Sequence, residues 1–212
     1  MSSDEPVPLD LLDRATVRTR GRNVAIAGLV VAAALGGVVG LFAGPVGFGS
    51  TVAAVGLPLV LLAWTESRKT LRLSGTEVSA RALGTRVVDL RTAERLEVFV
   101  TDMRGARTVN LLVAGPPQGR AISVALAMYA GTGGRELGVY ALRRLADALA
   151  TAPDTRSLVL SELIVAQLRA EARGDAPPDR PLYRLASLAP QGRMAQKLSP
   201  DAVARFVAAL DR

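Results

Sequence analysis

The chain has 212 residues, 50% apolar and 21% charged, with a net charge of +7 at pH 7. It contains neither Cys nor His, which excludes thiolate nucleophiles, disulfides, Cys/His zinc sites and a histidine general base. The cations are almost all Arg, in an Ala- and Val-rich background that suggests a GC-rich bacterial genome. With few aromatics to stack on bases, the positive charge points to anionic lipid headgroups and not to nucleic acid.

Residues 1–23 read as an N-terminal tail. Val24 to Ala43 is then a run of twenty uncharged residues, and Val46 to Trp64 is another of nineteen. At a rise of about 1.5 Å per residue each spans about 30 Å, the thickness of a hydrocarbon core, and neither has a polar face. The expectation is a transmembrane hairpin over 24–64, turned at Gly44-Pro45, with Pro58 kinking the second span and Trp64 at its interface. A cleaved signal peptide fits poorly, because the apolar run is long and a second one follows directly.

Arg14, Arg18, Arg20 and Arg22 precede the first span; Arg68, Lys69 and Arg72 follow the second. The turn between carries no cation, so both termini are expected on the cytoplasmic side of the inner membrane. Gly28, Ala32, Gly36, Gly40 and Gly44 recur every fourth residue, a stripe that lets another helix approach closely. Packing against the second span is favoured over homodimerisation. No ionisable group lies within either span, so no proton or ion path is expected.

From Lys69 to about Tyr129 the period becomes two. Val78, Ala80 and Ala82 alternate with Glu77, Ser79 and Arg81, and Leu96, Val98 and Val100 with Glu97, Phe99 and Thr101. Val109, Leu111 and Val113 follow, then Ile122, Val124, Leu126 and Met128. Turn signals at Ser74-Gly75, Gly84, Arg104-Gly105 and Gly115 to Gly119 divide about six strands of an antiparallel meander or small barrel. After Gly131 to Gly134, read as a flexible turn, an amphipathic helix over 135–150 is expected to close the barrel.

The stretches TESRKTLRLSGTEVSARALGTRVVDLRTAERL and GGRELGVYALRRLADALA resemble uncharacterised actinobacterial membrane proteins with two N-terminal spans and a PH-like domain. The likeness covers about residues 65–150. It implies an α+β membrane protein whose cytoplasmic β domain is a scaffolding or ligand-recognition module, and it brings no catalytic residues.

Residues 151–212 read as a helical extension. Asp154 caps a helix over 155–173 that stops at Gly174, and residues 175–181, with three prolines, read as a linker. Ser199-Pro200 starts a final helix whose Val203, Phe206, Val207 and Leu210 share one face. A helix this short must dock on its own domain, a partner or the bilayer. If on a partner, those four residues would be the contact.

No Walker loop or spaced G-x-G-x-x-G occurs, and Asp89, Glu94, Glu97 and Asp102 read as solvent-facing strand and turn charges. No catalytic, cofactor or metal site is expected. The expected function is a non-enzymatic membrane-anchored module that positions a protein partner, with contact to the bilayer and its anionic headgroups. The alternative is an accessory subunit of a transport or envelope-synthesis complex assembling through its membrane helices. A metal-dependent carboxylate enzyme ranks below both.

Overall fold

The computed structural model describes residues 5–11, 14–67, 70–82, 84–116, 121–190, 192 and 194–210, with side chains described except at 14–18, 20, 21 and 63–67. The chain divides into two compact units. One comprises Leu12–Lys69 with Arg81–Gly84; the other comprises Met1–Leu11, Thr70–Ala80 and Thr85–Arg212.

The first unit is built on α1 (Arg14–Ser67), an α-helical run whose backbone is non-helical at Gly44 (φ 67°, ψ −165°). Only Gly adopts that conformation without strain, and Pro45 follows it as the start of a new helical stretch. Contacts across the break pair residues in descending order. A Cβ on Gly28 would sit 3.1 Å from Leu59, one on Gly56 3.4 Å from Ala32, one on Gly36 2.6 Å from Val52, and one on Gly40 3.1 Å from Phe48. The small-residue stripe is therefore occupied within α1 itself. Large apolar side chains cover the rest of its surface, Leu41 at 85% and Phe42 at 89% exposure among them.

The second unit is α+β. Its first sheet has the order β1-β2-β3-β4, from Val7–Pro8, Thr70–Ser74, Glu77–Arg81 and Thr85–Asp89. Its second has the order β8-β7-β6-β5-β9, from Gly133–Glu136, Ile122–Ala130, Ala106–Ala114, Arg95–Met103 and Gln196–Lys197. Helices α2 (Val139–Ala150), α3 (Thr155–Arg173), α4 (Pro181–Ser187) and α5 (Pro200–Leu210) complete it. Residues from both sheets and all four helices form one apolar core.

Several expectations hold in detail. Helix α3 has the anticipated bounds: the Asp154 side chain accepts from the Arg156 amide, and Gly174 ends the helix at φ 77°. Ser199 Oγ accepts from the Ala202 amide at 3.2 Å, capping α5.

Others change. Residues 1–23 are not simply a tail: Val7 and Leu9 are buried, β1 pairs with β2 at Val7↔Leu73 and Pro8↔Arg72, and the Leu9 amide donates to Leu71 O at 3.0 Å. A two-residue strand carries no legible period. Among the described residues seven strands, β2 to β8, follow one another across the two sheets in place of one six-stranded meander; Gly133 and Gly134 belong to the last of them, so α2 begins at Val139 and not at residue 135. Residues 175–181 are not a linker: Pro177–Asp179 forms a 3-10 turn and Pro181 starts α4, which buries Leu182, Leu185 and Ala186. Residues 151–212 thus share the β strands' core instead of extending from it. Residues 117–119 of the expected 115–119 turn lie outside the described residues.

Candidate functional site

A cavity of about 730 Å³ in the α+β unit opens where the β5–β6 and β7–β8 turns meet the end of α4. Asp102, Arg104, Arg107, Tyr129, Tyr183 and Ser187 line it with four small residues.

A β-bulge sets its aromatic wall. The β6–β7 register runs Val109↔Ala127 and then Asn110↔Ala125, which leaves Leu126 as the extra residue. Past the bulge the alternation inverts, so Leu126, Ala127 and Tyr129 are buried and Met128, expected inward from the sequence, is not. The Tyr129 ring stands edge-on to Tyr183, with centroids 5.0 Å apart. Gly134 makes room for it, since a Cβ there would collide with Tyr129 Cδ1 and meet Met128 O at 2.8 Å. The Gly131–Gly134 stretch is therefore a turn and a packing site for an aromatic ring.

Tyr129 is held from outside the cavity by a polar network centred on Glu136, whose side chain is 9% exposed. One carboxylate oxygen accepts from Tyr129 Oη at 2.6 Å and the other from Arg180 Nη1 at 2.6 Å. Arg180 Nε also donates to Asp175 O at 2.8 Å. Burial, and next the Glu136 carboxylate, push the Tyr129 phenol far above its ordinary range, so it stays a proton donor. Burial alone would lower the Arg180 guanidinium, but Glu136 more than offsets it and holds it above its ordinary value. This network locks β7, β8 and α4 together.

At the rim the two arginines differ. Arg107 Nε lies 3.8 Å from Asp102 Oδ2, and its Nη1 donates to Ala186 O at 3.4 Å near the C-terminus of α4. Asp102 also accepts from the Gly192 amide at 3.3 Å, and Tyr183 Oη donates to Gly131 O at 3.1 Å. Arg104 has φ 55°, followed by Gly105 at φ 79°. With Met103 paired to Ala106, these two residues form a two-residue hairpin turn with both φ positive, which favours Asn, Asp or Gly at its first position. Among the described residues the Arg104 guanidinium has no hydrogen bond or ion pair.

The residues expected to act from sequence lie apart from this cavity. Val203 and Val207 are each 4% exposed in the core, and Phe206 and Leu210 pack against it. The apolar face of α5 is thus turned onto its own unit, the cheapest way to cover it, and is not presented to a partner. Arg22 is exposed on α1 and Arg72 on β2; the side chains of Arg18, Arg20 and Trp64 and the whole of Arg68 and Lys69 lie outside the described residues. Glu97 and Asp102 occupy separate ion pairs. Lys197 Nζ lies 2.6 Å from Glu97 Oε1, and this bond, with Arg95, holds the Glu97 carboxyl below its ordinary range against the opposing effect of burial. Asp89 accepts from the Arg91 amide in a turn, and Glu94 is exposed. No group of three potential metal ligands occurs among the described residues.

No sequence signal marked the cavity as a site, although Arg104-Gly105 and Gly131 to Gly134 read as turns and Asp102 as a solvent-facing charge. Its walls come from residues up to 90 positions apart, as in the Gly192–Asp102 bond. Arg22–Leu62 is the one helical stretch among the described residues long and apolar enough to cross a membrane. Comparison with known protein families, curated proteins and solved structures found no match.

Proposed function

We propose that this chain is a non-catalytic module, anchored in the inner membrane by a two-pass helical hairpin, whose cytoplasmic α+β unit positions a protein partner there. The observation that carries the anchor is the pairing of β1 with β2. It joins Leu9, just before α1, to Leu71, just after it, within one folded unit at 3.0 Å. A soluble unit that holds both ends of a membrane segment sits on one side of the bilayer, so the segment crosses an even number of times. Arg22–Leu62 is 41 residues, about 60 Å of helix at 1.5 Å per residue, or twice a hydrocarbon core. The break at Gly44 and the descending contacts across it support two passes.

The basic residues flanking α1 support cytoplasmic termini, close enough to meet anionic headgroups. Three strands of one sheet, four of the next and then a helix support the PH-like reading of residues 70–150. Because the glycine stripe is filled within α1, it favours an anchor over an assembly surface for other membrane helices.

The cysteine-free chain makes the test direct. Single Cys residues at Glu5, Pro45 and Glu162 are probed with a membrane-impermeant maleimide in intact cells. Pro45→Cys is expected to label, and Glu5→Cys and Glu162→Cys only after permeabilisation. If Glu5 and Glu162 fall on opposite sides, the hairpin is wrong.

A further inference from the structure

We propose that the turn between β3 and β4 rests on anionic phospholipid headgroups through Arg81 and Arg86, so that the first sheet stands end-on to the bilayer. The inference rests on the anchor proposed above and names a lipid-binding surface outside the flanks of α1.

Chain connection gives the sheet a direction. β1 and β2 both join α1 at the same end. β1 leaves for α1 past Asp10, whose Oδ1 accepts from the Leu71 amide at 3.0 Å, and β2 begins at Thr70, three residues after Ser67. Three residues reach at most about 11 Å. β3 returns to that end, since Ser79 Oγ donates to Arg72 O at 3.4 Å and the strand finishes at Arg81. The Ala82 amide then donates to Gly84 O at 3.0 Å, closing the turn from which β4 starts at Thr85. Arg81–Gly84 belong to the compact unit built on α1. The Leu90 amide donates to Thr76 O at 2.9 Å, which fixes the end of β4 at the opposite edge.

Charge follows the same direction. Arg81 and Arg86 lie at the α1 end and Arg72 midway, all three exposed and without an ion pair among the described residues. Glu77 and Asp89 lie at the far end, and no acidic residue occurs from Val78 to Val88. In sequence, the segments that lead into and out of the α1 end, 10–22, 66–72 and 81–86, hold nine Arg and Lys against three Asp and Glu.

The two arginines also leave opposite faces of the hairpin. Val78 is buried, so Arg81, three positions on, has the outward parity; Arg86 shares the parity of buried Val88 and is exposed at the strand's start. A partner lying on one face of the sheet would meet one guanidinium. A plane across its end meets both. A bilayer entered by α1 is such a plane, and anionic headgroups complement the two cations.

The test uses full-length protein in nanodiscs containing a nickel-chelating lipid, with a nitroxide at Ala82→Cys or, as reference, at Glu77→Cys. Paramagnetic relaxation of the nitroxide reports its distance from the headgroups. With phosphatidylglycerol present, strong relaxation is expected at Ala82 and little at Glu77. Arg81→Gln with Arg86→Gln should weaken relaxation at Ala82 by roughly fivefold or more. Arg81→Lys with Arg86→Lys should retain it, and every variant should keep the wild-type melt, because both side chains are exposed and unpaired.

Equal relaxation at Ala82 in phosphatidylcholine alone, or indifference to the Gln pair, overturns the proposal, since the turn would then be near the bilayer by chain connection only. Stronger relaxation at Glu77 than at Ala82 overturns it as well, because the sheet would be inverted. Either failure leaves the anchor standing if the maleimide labelling puts Glu5 and Glu162 on one side. Labelling on opposite sides overturns the anchor and this inference together.

Discussion

Leu41 and Phe42 in α1 are 85% and 89% exposed, whereas Leu142, Leu145 and Leu149 in α2 are 0% exposed. Both helices are rich in leucine, valine and alanine, but only α2 interleaves charges with them, α1 having none from Val24 to Trp64, and the arrangement differs accordingly. In α2 the apolar residues share a face with Arg143, Arg144 and Asp147 placed elsewhere, so one side can be buried and the other wetted. In α1 the apolar residues run all round, and the small ones gather into a stripe the helical run packs against itself. Its large side chains then face outward, an arrangement stable in hydrocarbon and costly in water at about 25 cal/mol per Å². One chain thus carries two arrangements of its apolar residues, one buried in protein and one exposed on a helical stretch long and apolar enough to cross a membrane.

The contrast predicts that each unit can be broken separately. The largest effect is expected from Leu9→Asp, which puts a carboxylate at a position 0% exposed in the α+β core. A loss of about 4 kcal/mol or more should remove the cooperative thermal transition of that unit in detergent. The helicity of α1 should persist; if it vanishes too, the units are not independent.

Glu136→Gln comes next. It leaves Arg180, with 20% of its side chain exposed, without its carboxylate partner and should cost about 3 kcal/mol. Spectrophotometric titration should also show Tyr129 moving down towards the ordinary tyrosine range, since one of the causes holding it up is gone. An unchanged melt would mean that the network does not lock β8 to α4.

Gly36→Leu is the complementary break in α1. The added side chain meets Val52 and Phe48, and overpacking of this kind costs about 1–3 kcal/mol. Ala32→Cys with Gly56→Cys should form a disulfide under oxidant, and adding Gly36→Leu should reduce its yield while the α+β melt is unaffected.

The smallest effect is expected from Lys197→Met, about 0.5 kcal/mol, because the Lys197 side chain is 56% exposed and solvent screens the pair. Its sign is set by Glu97. The folded carboxyl titrates below the unfolded one, so the stabilisation is present above about pH 4.5 and is lost as pH falls through the lowered folded value. The melting-temperature difference between wild type and Lys197→Met should therefore shrink on acidification below that pH. A difference that grew would assign the effect elsewhere.

What could be read from sequence was local. The helix limits at Asp154 and Gly174, the Ser199 cap and the α2 stripe depend on residues within a turn or two of each other. So does the helical break at Gly44, where one positive φ is needed and Gly supplies it. The alternation of β5 and β6 was equally legible, because one face of each is buried against a continuous core.

Tertiary structure decided the rest. Period two predicted Met128 inward, but a single bulged residue in β7 inverts the alternation and brings Tyr129 to the cavity instead. The prolines of 175–181 read as a linker because nothing local says that Leu182 and Leu185 will find a core. The β1–β2 pair joins residues more than sixty positions apart, and Arg107 meets Asp102 and the Ala186 carbonyl of α4 only in the folded unit, while its neighbour Arg104 has no ion pair among the described residues. Sequence by itself determined where the chain is apolar over the length of a membrane span, the limits of α3, the start of α5 and the alternation of β5, because those follow from backbone conformation and side-chain period. The cavity, the closed ends of α1 and the docking of α5 depend on contacts between segments far apart in the chain, and only the folded structure brings those together.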